Sequence, residues 1–246
     1  MAMPGSEETP IPEGLDVVEA EEILKDTSGE RYLKVRLEYV SERFLGRPYA
    51  ERPLGGGPNV REVLRITLEA FDCVTYFEHV LGLACSYTVG EFVSNVRRMR
   101  YERGEVDWFH RNHYMIDWAR HNETEGFIKN LTIGPNTTEK ICTLDLIAGL
   151  PAKTATFDYF PTERLERVSE LAQTGDIVFF VSTKSSLDFF HTGLLIKREA
   201  GLIVRHAARS AGGVVDQYIE EFVAKNEPAG FVLLRPYANT DRSICS

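Results

Sequence analysis

The sequence predicts an α+β domain, helices first and an antiparallel sheet after them, on three observations. Several segments before residue 123 carry apolar residues at helical spacing, most clearly Val74, Phe77, Leu81 and Ala84. The C-terminal third holds short β-rich runs bounded by turn residues: "GDIVFFVS", "FFHTGLLIK", "LIVRHAAR" and "GFVLLRP". The length of 246 residues, with 43% hydrophobic and 26% charged, suits one domain with a sizeable core. Helices followed by strands, rather than alternating with them, is the order of an α+β fold.

Taken in order, residues 1 to about 14 are rich in Pro, Glu, Ser and Gly and are expected to be disordered, leaving residues 15–240 as a single domain. Val17 to Lys25 and Arg31 to Phe44 read as helices with charged outer faces. Leu45 to Asn59 is a long Gly/Pro loop, placed to wall a cleft or simply to cover surface. Asp72 is a suitable N-cap for a helix that begins at Cys73, Val89 to Arg100 reads as a further helix, and Tyr114 to Asn122 as a short one.

Charge and cysteine usage narrow the function. A net charge of −9 argues against a broad basic face for nucleic acid. No apolar run is long enough to span a bilayer. The N-terminus lacks the basic and apolar segments of a secretory signal, so the expected compartment is the cytoplasm, or the periplasm or exterior if a leader was removed. Cys73, Cys85, Cys142 and Cys245 show neither CxxC pairing nor zinc-ligand spacing, so no metal or other cofactor is expected.

Cys73 lies in the first turn of its helix, beside the positive end of the helix dipole, where a thiolate is favoured. The alternative is a small buried hydrophobe. His191 and His206 bear on the choice. If the "REAG" connection, Arg198 to Gly201, is a four-residue hairpin loop, Lys197 pairs with Leu202 and His206 faces Gly193. His191, Gly193 and His206 then share one sheet face. Two imidazoles and a cysteine at a helix start are the parts of a Cys-His-polar triad. The run Asp107 to Asn122 gathers three histidines and two tryptophans. His110 and His113 stand three apart without an HExxH arrangement, so the run reads as cleft lining or core rather than a metal site.

The blocks "FLGRPY", "FDCVTYFEHVLGLA", "RNHYMIDWARHN", "GDIVFFVS", "LDFFHTGLLI" and "RHAARS" give the chain a resemblance to the papain-like, NlpC-type cysteine amidases, within them the N-acetylmuramoyl-L-alanine amidase-like branch, from about Tyr32 to Pro236. The resemblance implies a papain-like fold with the nucleophile at a helix N-terminus packed on the sheet. It implies Cys73 as nucleophile, His191 as general base and His206 as the orienting third member. Arg111, His113 and Tyr114 match a segment near the cleft, and with Asp72 and Arg209 they are the expected substrate contacts. Thr192 stands where the family favours a hydrophobic residue, and Ala208 and Arg209 where small hydroxyl residues are usual. An additional arginine suits an anionic group.

The activity so implied is an acyl-enzyme amidase on muropeptides, cutting the sugar–L-alanine amide or a stem-peptide bond. Two rivals keep the fold: an acyltransferase or cyclase using the same cysteine, and a wall-fragment binding protein without catalysis. The sequence leaves the oligomeric state open. If sulfur does the chemistry, EDTA leaves the rate of amide cleavage unchanged. A loss of rate restored by added zinc would move the site to His110 and His113.

Overall fold

Five helices precede most of the sheet in the computed structural model, which describes residues 11–237. Helix α1 (Val17–Thr27) is capped by Asp16, whose carboxylate accepts from the Glu19 N–H, and buries Ala20, Ile23 and Leu24 as a stripe at helical spacing. Helix α2 is Leu33–Arg43, shorter by two residues at its start than expected. Helix α3 (Cys73–Ala84) is central, with every residue from Thr75 to Ala84 buried. Asp72 starts it with a capping box: its carboxylate accepts from the Val74 and Thr75 N–H groups at 3.1 and 2.7 Å, and its own N–H donates to Thr75 Oγ1. Helix α4 (Val89–Arg100) crosses close over α3 at Gly82, where a Cβ would meet Val96 at 2.8 Å. Helix α5 spans Met115–Thr124.

The sheet has eight strands, all paired antiparallel: β1 (Ile128–Asn130), β2 (Thr138–Leu144), β3 (Lys153–Pro161), β4 (Ile177–Val181), β5 (Phe189–Arg198), β6 (Gly201–Ala208), β7 (Gly213–Tyr218) and β8 (Gly230–Pro236). Their order is β2-β3-β8-β4-β5-β6-β7, with β1 also against β8. Its central strands divide the core in two. One face, with Ile177, Phe179, Leu194, Ala207 and Val232, packs on α1 to α5. The other, with Val178, Phe180, Leu195, Val204 and Phe231, packs on α6 (Leu165–Leu171) and α7 (Ile219–Asn226). No helix among the described residues is long and apolar enough to cross a membrane.

Several expectations are corrected. The sheet is not confined to the last third, because β2 and β3 form an earlier hairpin whose mostly polar, half-exposed strands lack a continuous apolar run. Helices α6 and α7 and strand β7 add to the C-terminal part. Residues 11–14, expected to be disordered, run beside residues 64–66, with Glu13 accepting from the Ile66 N–H and donating to Leu64 O. Residues 1–10 and Cys245 lie outside the described residues.

The β5–β6 hairpin keeps the expected register, Lys197 opposite Leu202, but Arg198 also pairs with Gly201, so the loop is only Glu199 and Ala200. Gly201 has φ +140°, which an L side chain rarely adopts. A Cβ at Gly193 would lie 2.7 Å from Val204 Cγ1 and 3.0 Å from both Arg205 O and His206 Cβ. Gly193→Ala should therefore destabilise the fold by about 1–3 kcal/mol, as overpacking of a tight site does. A drop in the urea midpoint at unchanged slope is the expected reading, and an unshifted midpoint would mean that β6 yields freely.

Candidate active site

Cys73 reaches the sheet where two strands part. Pairing of β5 with β6 runs from Arg198–Gly201 to Leu194–Arg205 and stops there. Strand β5 nevertheless continues along β4 to Phe189, and β6 along β7 to Ala208. Leu195 gives its N–H to Asp176 O and receives the Gly175 N–H, both on the β4 side. By alternation Thr192 turns its N–H the other way, into the opening. There it faces the Cys73 sulfur. The residue beside the Cys73 sulfur is thus the one that follows His191.

The two histidines meet. His191 Nε2 and His206 Nδ1 are 2.6 Å apart, with the ring planes nearly perpendicular. Both rings pack on Phe222 of α7, at 5.3 and 5.5 Å between centroids. The approach to His191 is held from two sides. Lys140 of β2 donates to the carbonyls of Ser182, Lys184 and Leu187. Buried Asp188 accepts from the N–H groups of Phe189 and of Ile116 at the start of α5.

Burial sets the protonation states. It pushes the Cys73 thiol up to about 12; the Asp72 carboxylate pushes the same way, and the N–H groups of Thr192, Cys73 and Val74 oppose both. Burial pulls His191 down to about 3, with His206 adding to the effect. Burial likewise pulls His206 down to about 4, against the pull of Gln217 and Asp216. Burial therefore disfavours the anion on sulfur and the cation on both rings, against the expectation of a ready thiolate. A helix terminus contributes about 0.3–1 kcal/mol, less than the cost of desolvating a charged sulfur. Cys85, near the other end of α3, is pushed up to about 12 as well.

Of the remaining expected residues, Asp72, Arg111 and His113 line one cavity and Arg209 lines another with the two histidines. Asp72 and Val74 line the first, of about 600 Å³, walled by residues 52–58 and 146–148 together with Trp108, Arg111 and His113. Arg111 is pinned there: it donates to Glu62 and Gly55 O and stacks over Trp108. His113 Nε2 is 2.7 Å from Trp108 O. Tyr114 is mostly buried, its hydroxyl accepting from the Leu146 and Ile147 N–H groups, and it lines a further cavity with Arg111 and His113. His110 turns away from His113 toward Glu105 and Asp107. No group of three His, Cys, Asp or Glu among the described residues is placed to hold a metal.

His191, His206 and Arg209 line the second cavity, about 530 Å³, with Phe190, Gln217, Phe222 and Lys225. Arg209 is exposed and ion-paired with Glu51. Gln217, Phe222, Lys140 and Asp188 were not singled out from sequence, and Thr192 was noted only as a departure from the family pattern. The spacing of Ile219, Phe222 and Val223 carried a helical signal for α7; nothing local marks Lys140 as a neighbour of the site.

A model of the family described as AmiA-like, N-acetylmuramoyl-L-alanine amidase-like, matches residues 39–231. A Legionella pneumophila protein of the DUF1460 family superposes with a TM-score of 0.79 at 20% identity, over 90% of this chain and 96% of that one. An N-acetylmuramoyl-L-alanine amidase from Bacteroides uniformis gives 0.74 at 20% identity, over 83% and 98%. No curated protein sequence matches this chain.

Because the thiol form persists to about 12, site-resolved iodoacetamide labelling of Cys73 should accelerate about tenfold per pH unit across roughly pH 7 to 9.5. A plateau near pH 8.5 or lower would mean that the sulfur is as solvated as a free thiol, or better stabilised as its anion.

Proposed function

The chain belongs to the N-acetylmuramoyl-L-alanine amidase-like family, and from that membership and the geometry around Cys73 we propose that it is a cysteine amidase acting on cell-wall muropeptides. The observation that carries the proposal is the 2.6 Å His191–His206 pair on the strand whose next residue, Thr192, faces the Cys73 sulfur. In this reading His191 donates Nε2–H to His206 Nδ1 and keeps the lone pair of Nδ1 for the thiol proton. The resting proton sits on sulfur, so removal accompanies attack, as it does for a serine nucleophile.

Cys73 Sγ bonds to the amide carbonyl carbon, and the carbonyl oxygen takes the negative charge. The Val74 and Thr75 N–H groups are already committed to the Asp72 carboxylate. The Cys73 N–H is therefore the helix donor left for the oxyanion. His191 passes the proton to the amine as the C–N bond breaks, leaving a thioester. Water, deprotonated by the same ring, then opens the thioester and restores the thiol.

Cys73→Ala should abolish muropeptide cleavage followed by mass spectrometry, while Cys85→Ala and Cys142→Ala leave it nearly intact. His191→Ala should lose at least about 10³-fold, because members of a triad act as a unit. His206→Asn should retain more than His206→Ala, since an amide oxygen still accepts from the imidazole N–H. A dead His206→Asn beside an active His191→Asn would reverse the roles. With His191 held at about 3, its neutral base form persists below the usual imidazole range, so kcat/KM should hold as pH falls from about 7 to 5. A fall of tenfold or more centred near 6.5 would point to an ordinary, solvated imidazole.

A further inference from the structure

The cavity beside Asp72 and the cavity beside the histidines differ in chemistry, and that difference gives the site a direction. One is lined by the residues on either side of Cys73, Asp72 and Val74. The other borders the proton-transfer pair, through His191 and His206. In an acyl transfer the ring that protonates the leaving group must lie on the leaving group's side, because the proton moves over one hydrogen-bond length. The acyl half of the substrate then lies in the cavity beside Asp72, against Trp108. The amine half lies in the cavity beside the histidines.

The histidine cavity is built for a polar, anionic group at one end. His206 is 2% exposed and its Nε2 has no hydrogen-bond partner; Gln217 is beside it but outside bonding geometry. With Nδ1 accepting from His191, Nε2 carries the proton and is a buried donor awaiting an acceptor, a costly state unless a ligand or water fills it. Lys225, in the last turn of α7, makes no salt bridge among the described residues and lines the same cavity, as does Arg209. Phe190 and Phe222 form its apolar wall with near-parallel rings, 10° apart. A cavity of about 530 Å³ takes a ligand of small-peptide size.

We propose that this cavity binds the amine-side product, a short peptide with a free carboxylate, between His206 Nε2–H and the Lys225 and Arg209 cations. The proposal rests on the amidase reading and assigns which half of the substrate occupies which side. It also gives His206 a second task. An acceptor on Nε2–H fixes the tautomer that leaves His191 Nδ1 unprotonated, so occupancy by the correct leaving group prepares the base.

The test compares muramoyl-peptide substrates that differ only at the end of the leaving peptide, free carboxylate against carboxamide. The acid should be cleaved with a kcat/KM about tenfold higher, the scale of one charge-assisted hydrogen bond. Lys225→Gln should narrow that ratio, whereas Arg52→Gln, in the other cavity, should leave the ratio as it is. Equal rates for acid and amide, or a ratio untouched by Lys225→Gln and Arg209→Gln, would overturn the proposal. A separate arm titrates ¹⁵N-histidine-labelled Cys73→Ala protein with an alanyl-glutamate dipeptide and with its diamide. Movement of the His206 Nε2 resonance by the acid alone supports the subsite even if no substrate is cleaved. No movement by either peptide counts against the subsite even in an active enzyme.

Discussion

Strands β5 and β6 stop pairing at Leu194 and Arg205, and the site is assembled in the opening this leaves. Had the ladder continued, the Thr192 N–H would be spent on β6 and no helix terminus could approach it. Because it ends, the N–H faces sulfur, and His191 and His206 face one another across the widened gap. Gly193 sits at the last close point, where even a methyl group would strike Val204 and His206. The capping box on Asp72 then fixes where α3 begins, and with it the position of Cys73.

The opening is braced by buried charges. Arg205 binds Asp216 of β7 through Nε and Nη2 at 2.7 and 2.8 Å and reaches Ser41 of α2 through Nη1. Glu78 on α3 takes the Arg100 Nε–H and the Trp118 indole N–H, and Arg100 also donates to Arg65 O. Such pairs add little net stability against apolar replacements, but losing one partner strands a charge in the core. Their value here is positional. They tie helices on one face to the strands, and to the loop ahead of α3, that border the site.

The same burial that orders the site holds its groups neutral. Sulfur, His191 and His206 all shift against charge, and desolvation is the leading cause for each. A site of this kind does not hold a ready anion.

Local chemistry was legible in the sequence because it acts over a few residues. Asp72 before an apolar-periodic run determined a helix start at Cys73. The alternation through β5 and β6 determined that His191 and His206 share a face, and the hairpin register followed from the chain's own turn. Strands β2, β3 and β7 and helices α6 and α7 were less visible, their apolar residues being fewer and their partners distant in sequence. What tertiary structure alone decided is how far burial disfavours charge on the Cys73 sulfur and on the two imidazoles. A helix dipole is a property of one segment, but desolvation is the sum of everything packed around it, and Phe222 and Gln217 come from a helix and a strand that no local pattern brings to His191 and His206.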